Sequence, residues 1–108
     1  MKAFDVNYKL LDEMYQDEYY PDFLVDKVKA ALQEVIDLLE CGKTDTEVIQ
    51  EKLDKAVCVV NDLQDEFEEN DSEIETVARD CIGTAVGYIL EWFGIPIDVE
   101  EAIRERDW

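Results

Sequence analysis

Six apolar residues, Ile49, Leu53, Ala56, Val60, Leu63 and Phe67, follow one another at steps of 4, 3, 4, 3 and 4. A strand cannot present them on one face, because its side chains alternate from side to side. A helix of about 3.6 residues per turn gathers all six into a single stripe. Charged and amide residues fill the positions between them except at Val57, Cys58 and Val59, so one side of this helix must be buried and most of the other must stay wet. Such a helix cannot cover its own stripe, and the rest of the chain has to supply the cover.

The flanking sequence offers suitable partners. Leu24, Val28, Ala31, Leu32, Val35 and Leu39 line one face of a preceding helix, with Pro21 suited to its first turn and Gly42 to its end. Phe4, Tyr8, Leu11 and Met14 or Tyr15 step by three and four, which predicts a short first helix. Thr44 with Glu47 has capping-box spacing ahead of the Ile49 stripe. Ser72 with Glu75 has the same spacing ahead of a fourth helix through Ile74, Ala78, Cys81, Ala85, Ile89 and Trp92, which Gly94 and Pro96 end. Gly83 and Gly87 are four apart on it and permit close approach by another helix. Asp98 with Glu101 starts a short terminal helix running into Trp108, read as a packing plug. No alternating run reads as a strand, and the connections are short. The expectation is an all-α chain, one domain over residues 1–108, folded as a compact antiparallel four-helix bundle with a short C-terminal helix.

Charge and composition exclude several functions. The chain carries 29 acidic and 10 basic residues, a formal net charge of −19 that opposes binding to nucleic acid or anionic lipid. Histidine is absent, which removes Ser-His-Asp triads, Cys-His pairs and His-containing zinc sites. No apolar segment is long enough to span a bilayer, and the N-terminal stretch has no signal-peptide core. Three cysteines at wide spacing fit reduced thiols in a cytoplasmic protein. Cys81 falls on an apolar stripe, and Cys58 lies off the stripe where a neighbouring helix can bury it. Neither has a base nearby in sequence to activate it.

Two stretches carry candidate sites. From Asp62 to Glu75 there are eight carboxylates and no Lys or Arg. Asp62, Asp65, Glu66 and Glu69 cluster on the helix side opposite the apolar stripe, so they face water. Glu66, Glu68 and Glu69 also lie near the helix C-terminus, where the macrodipole disfavours carboxylates. That placement is not what stability alone selects. The second stretch, MYQDEYYPDF, interleaves Tyr15, Tyr19 and Tyr20 with acids, and tyrosines of this kind are common interface anchors.

The blocks MYQDEYYPDFLVDKVK, NDLQDEF, SEIETVARD and DVEEAIRERDW resemble, in similar order over most of the chain, a family of small acidic bacterial helical proteins known only as a domain of unknown function. The resemblance implies a bacterial, cytosolic, single-domain protein and transfers no catalytic residue.

Taken together, the residues favour a non-catalytic acidic protein that docks on a basic protein partner, in the manner of an immunity protein or antitoxin-like inhibitor covering a toxin. Asp62, Asp65, Glu66 and Glu69 form the charged part and Tyr15, Tyr19 and Tyr20 the aromatic anchors; no cofactor or metal is expected. An alternative is a Mg-dependent all-α nucleotide pyrophosphatase-like enzyme using helix carboxylates, although the E-E-x-x-E signature of that class is missing. A third is an oligomerising structural module. The carboxylate stripe also fits a solvated helix face that binds nothing.

Overall fold

The stripe from Ile49 to Phe67 is buried along its whole length, with Ile49 and Phe67 fully enclosed. It lies on the longest of five helices in a computed structural model that describes residues 2–108. The helices are α1 (Asp12–Gln16), α2 (Asp22–Glu40), α3 (Thr46–Glu69), α4 (Thr76–Phe93) and α5 (Val99–Ala102), and no strand occurs among the described residues. The fold is all-α, as the periodicity predicts. All six stripe residues predicted for α2 are buried too, and the α2–α3 hairpin forms the main packing unit. Leu24 and Val28 of α2 and Ile49, Leu53 and Val60 of α3 belong to one continuous core.

The helix starts differ from expectation in instructive ways. Asp45, not Thr44, caps α3, its carboxylate accepting from the Glu47 backbone N–H. The Ser72–Glu75 capping box does not form, because Ser72 is recruited by the end of the preceding helix. Its N–H donates to the Phe67 carbonyl at 2.8 Å and the Asp71 N–H donates to the Glu68 carbonyl at 3.1 Å. Asp71 itself takes the left-handed conformation, φ 57°. This is a Schellman turn with aspartate where glycine is usual. Gly94 makes the same turn at the end of α4, φ 67°, with the Ile95 N–H reaching the Leu90 carbonyl at 2.9 Å.

The predicted first helix shrinks to the single turn of α1, and residues 4–10 form an irregular strap. The reason is aromatic packing. Phe4 meets the rings of Tyr8, Tyr88, Trp92 and Phe93 with centroids 5.9–6.2 Å apart, and Tyr8 stacks flat on Tyr88 at 4.1 Å. A helix through Phe4 and Tyr8 would aim both rings along one stripe, whereas here they wrap the end of α4. Polar contacts tie the strap down. The Tyr88 hydroxyl donates to Asp5 (2.6 Å), the Trp92 indole N–H to the Ala3 carbonyl (2.9 Å), and the Phe4 N–H to Glu40 (2.8 Å). Leu11 hinges the strap into α1 at φ 60°, a conformation costing a leucine about 1 kcal/mol and here compensated by full burial of its side chain.

α4 is buried over a wider arc than its predicted stripe. Ile82, Val86 and Leu90 join Ala78, Ala85 and Ile89 in the core, and Cys81 is left half-buried. Gly87 explains one edge of that arc: a Cβ there would stand 3.1 Å from a Val99 methyl, so α5 approaches closely only because the side chain is missing. At Gly83 an added Cβ would meet nothing within 4 Å, so the same role does not extend to it.

The C-terminal segment forms a second strap, laid against α3. Asn61 donates to the Glu105 carbonyl (2.8 Å), Gln64 to Asp107, and Arg104 to Asp54 (2.7 Å). Trp108 packs partly buried on the core as the predicted plug, with its indole N–H enclosed and without an acceptor among the described residues. No helix among the described residues is long and apolar enough to cross a membrane.

Candidate functional site

The four carboxylates singled out on α3 do not share one environment. Glu66 is half-exposed and pairs with Lys27 of α2 at 2.6 Å. Such a solvent-facing pair contributes at most about 1 kcal/mol, yet it neutralises one charge of the group. Asp62, Asp65 and Glu69 are exposed and have no ion-pair partner among the described residues. α3 has no basic residue in its last turn to offset them. Val59, one turn before Asp62, is 39% exposed and places an apolar spot within this acidic face.

The tyrosines separate further. Tyr20 is only 3% exposed, with its ring edge-on to Phe67 at 6.5 Å. It is a core residue, and this corrects its expected role as a surface anchor: Pro21 turns the chain so that Tyr20 points inward while Tyr19 stays out. Tyr15 is half-buried and donates a 2.5 Å hydrogen bond to Asp26, which joins α1 to α2. Burial first, and then that bond to a carboxylate, raise its hydroxyl pKa. It lines a cleft beside the N-terminal strap, with Lys29 and Gln33, instead of joining the α3 face.

Tyr19 is the tyrosine that keeps the predicted character. It is 38% exposed and leans edge-on against Tyr20 at 5.1 Å. Desolvation, then the nearby Glu75 and Glu73 carboxylates, raise its hydroxyl pKa, which sets it beside the α3–α4 turn. Phe23, the second residue of α2, is still more exposed at 51%. Through the Tyr20–Phe67 contact the structure brings Tyr19 to the same end of the bundle as Glu69. The result is an end surface of exposed aromatic residues and acids with no ion-pair partner among the described residues.

With the packing of α2, α3 and α4 described, one comparison bears on the whole chain: a family model described as a family of unknown function (DUF5713) matches residues 4–108. The chain belongs to DUF5713. No curated protein and no solved structure matches this DUF5713 chain.

Within the DUF5713 chain, no three carboxylates or thiols among the described residues converge closely enough to share a metal ion. Asp62, Asp65 and Glu69 lie exposed along one helix, and among the described residues they form no cluster with acids of a second helix, as a pyrophosphatase-type magnesium site requires. Two polar residues that sequence reasoning did not single out form the best-organised polar contacts in the molecule. Gln50 is buried at 8% exposure and Asp54 receives both Gln50 and Arg104. Burial raises the Asp54 pKa, but the hydrogen bonds from Arg104 and Gln50 overcome this and hold it below the usual carboxylate range. Their only sequence signal is position: Gln50 follows Ile49 on the flank of the buried stripe.

The thiols yield a direct check on this surface. Cys58, whose exposure the sequence leaves open, is exposed on α3, and Cys41 is exposed at the end of α2. Cys81 is half-buried, and desolvation with the nearby Glu13 carboxylate raises its pKa despite backbone hydrogen bonds. Titration of the native protein with a chromogenic disulfide reagent should therefore release two equivalents rapidly and the third at least about tenfold more slowly. Three equal rates would show that α4 does not shield Cys81.

Proposed function

We propose that this protein is a non-catalytic acidic binding module that docks on a basic protein surface through the end of its helical bundle, in the manner of an immunity protein or antitoxin-like inhibitor within the cell. Asp62, Asp65 and Glu69 supply unpaired charge, and Tyr19 with Phe23 supplies aromatic area. The observation that carries this reading is the pairing state of the acids. Glu66 is satisfied within the chain, whereas Asp62, Asp65 and Glu69 stay exposed with no ion-pair partner among the described residues, and Glu69 sits in the last turn of α3, where the dipole repels it. A basic partner would remove that repulsion on contact, and complementary charge would speed the encounter. The absence of a converging ligand set among the described residues sets the magnesium enzyme behind this reading.

Capture at low salt followed by binding kinetics on the purified basic partner tests it. Reversing Asp65 and Glu69 to lysine should slow association by about tenfold or more, with a weaker salt dependence than the parent. Tyr19→Ala should act mainly on dissociation. Unchanged rates in both variants would show that the partner sits elsewhere or that this face meets only water.

A further inference from the structure

The buried stripes of α2 and α3 each run beside a second line of residues. Val48, Lys52, Lys55, Val59, Asp62 and Glu66 stand one position before the six stripe residues of α3. Phe23, Lys27, Ala30, Glu34 and Leu38 stand one position before Leu24, Val28, Ala31, Val35 and Leu39 of α2. Each set keeps the helical step, so each lies about 100° around its helix from the buried stripe. Two ion pairs show that the lines adjoin: Lys27 meets Glu66 at 2.6 Å and Lys52 meets Glu34 at 3.8 Å, both across the hairpin. Together they make one outward face. None of its residues is buried, and Phe23, Val48 and Val59 leave large apolar surface in the open. The rest of the chain grips the hairpin elsewhere, α1 and the N-terminal strap at Asp26 and Glu40, the C-terminal strap at Asp54 and Asn61.

Charge sets this face apart. The chain carries −19, yet here three lysines balance three carboxylates. A second copy of so acidic a chain is repelled by the surface at large and not by this part of it. Lys27 and Lys52 are engaged within the chain, whereas Lys55 and Asp62 have no ion-pair partner among the described residues. They stand seven positions apart on α3, with Cys58 and Val59 midway between them. A two-fold axis through that midpoint, with α3 antiparallel to its copy, sets Lys55 of each chain against Asp62 of the other and brings the two Val59 side chains together. That reciprocity is what an isologous contact requires. The area suffices as well. The 24 residues of α3 extend about 36 Å and two adjacent helices span about 20 Å, so the face offers about 700 Å², close to the roughly 800 Å² that each partner gives to a stable complex.

We propose that this face is covered by a second copy of the chain, in a two-fold dimer whose α3 helices cross near Cys58 and Val59. The molecule is 18 Å across in its thinnest direction, two layers of helix, and the copy adds its own two layers to the uncovered side. This pairing does not depend on the docking reading, whose Asp65, Glu69 and Tyr19 lie outside the face. Asp62 and Phe23 belong to both, so a basic partner and the second copy compete for them.

Sedimentation equilibrium of the whole chain at about 0.15 M salt tests the proposal. It should give twice the 12.6 kDa mass of one copy, with the single chain appearing on dilution. Lys55→Asp and Asp62→Lys should each raise the dissociation constant by about tenfold or more, because each sets like charges opposite one another at two places. The two changes move the net charge in opposite directions, so a loss common to both cannot come from net charge. Combined in one chain, they should restore the parent value. A short bismaleimide should join two chains through Cys58, so that Cys58→Ser prevents the covalent dimer and Cys41→Ser does not. A one-chain mass at every concentration would overturn the proposal. So would a dimer indifferent to both single changes, no recovery in the combined variant, or joining through Cys41 alone.

Discussion

Replacing Phe67 with alanine should lower the free energy of unfolding by about 3–5 kcal/mol, the range for removing a fully buried aromatic ring. Phe67 is 0% exposed, ends the α3 stripe and supports Tyr20 edge-on. Its backbone carbonyl accepts the Ser72 N–H of the Schellman turn, and that bond survives the substitution. The loss therefore comes from the ring and the void it leaves, not from the turn. Urea unfolding followed by far-UV circular dichroism measures it. A loss under about 1 kcal/mol would mean that this end of the bundle is not packed as described. Because Tyr20 positions Tyr19, the same variant should loosen the end surface proposed for docking even where the helices persist.

Phe4→Ala should cost about 2–3 kcal/mol, less than Phe67→Ala because Phe4 is only half-buried. Four ring contacts are lost together, and the N-terminal strap keeps only its polar ties. Those ties are exposed or part-buried and do not hold an irregular segment against its conformational entropy unaided. Limited proteolysis should then cut between residues 2 and 10 well below the midpoint of global unfolding. If the strap remains as resistant as in the parent, its docking rests on something other than the aromatic cluster.

What the residues disclose in advance follows the range of the interactions involved. The α2 and α3 stripes were legible because their burial is decided by one neighbour across a hairpin, and periodicity alone reports that. Phe4 and Tyr8 show helical spacing without forming a helix, because their ring partners lie 80 or more positions away on α4. Ser72 departs from the capping role for a related reason. A serine ahead of a helix looks like a cap, but the orphan carbonyls of the helix before it claimed its backbone first. Of the candidate site, the exposure of Asp62, Asp65 and Glu69 follows from the wheel. The neutralisation of Glu66 by Lys27 and the burial of Tyr20 do not, since both depend on how α2 enters the bundle. Gln50 carried the least warning, because a polar residue beside a stripe is ordinarily a solvated one.

The two straps have a consequence for how this protein is observed. Its two tryptophans are Trp92, whose indole binds the Ala3 carbonyl beneath the Lys2 ammonium, and Trp108, which belongs to the C-terminal strap. Neither lies on the α2–α3 hairpin. Intrinsic fluorescence therefore reports the seating of the chain's two ends, while the far-ultraviolet signal reports the three long helices. Melting curves from the two signals that superimpose would mean that straps and bundle come apart as one unit; an earlier fluorescence transition would measure strap release from a bundle still standing.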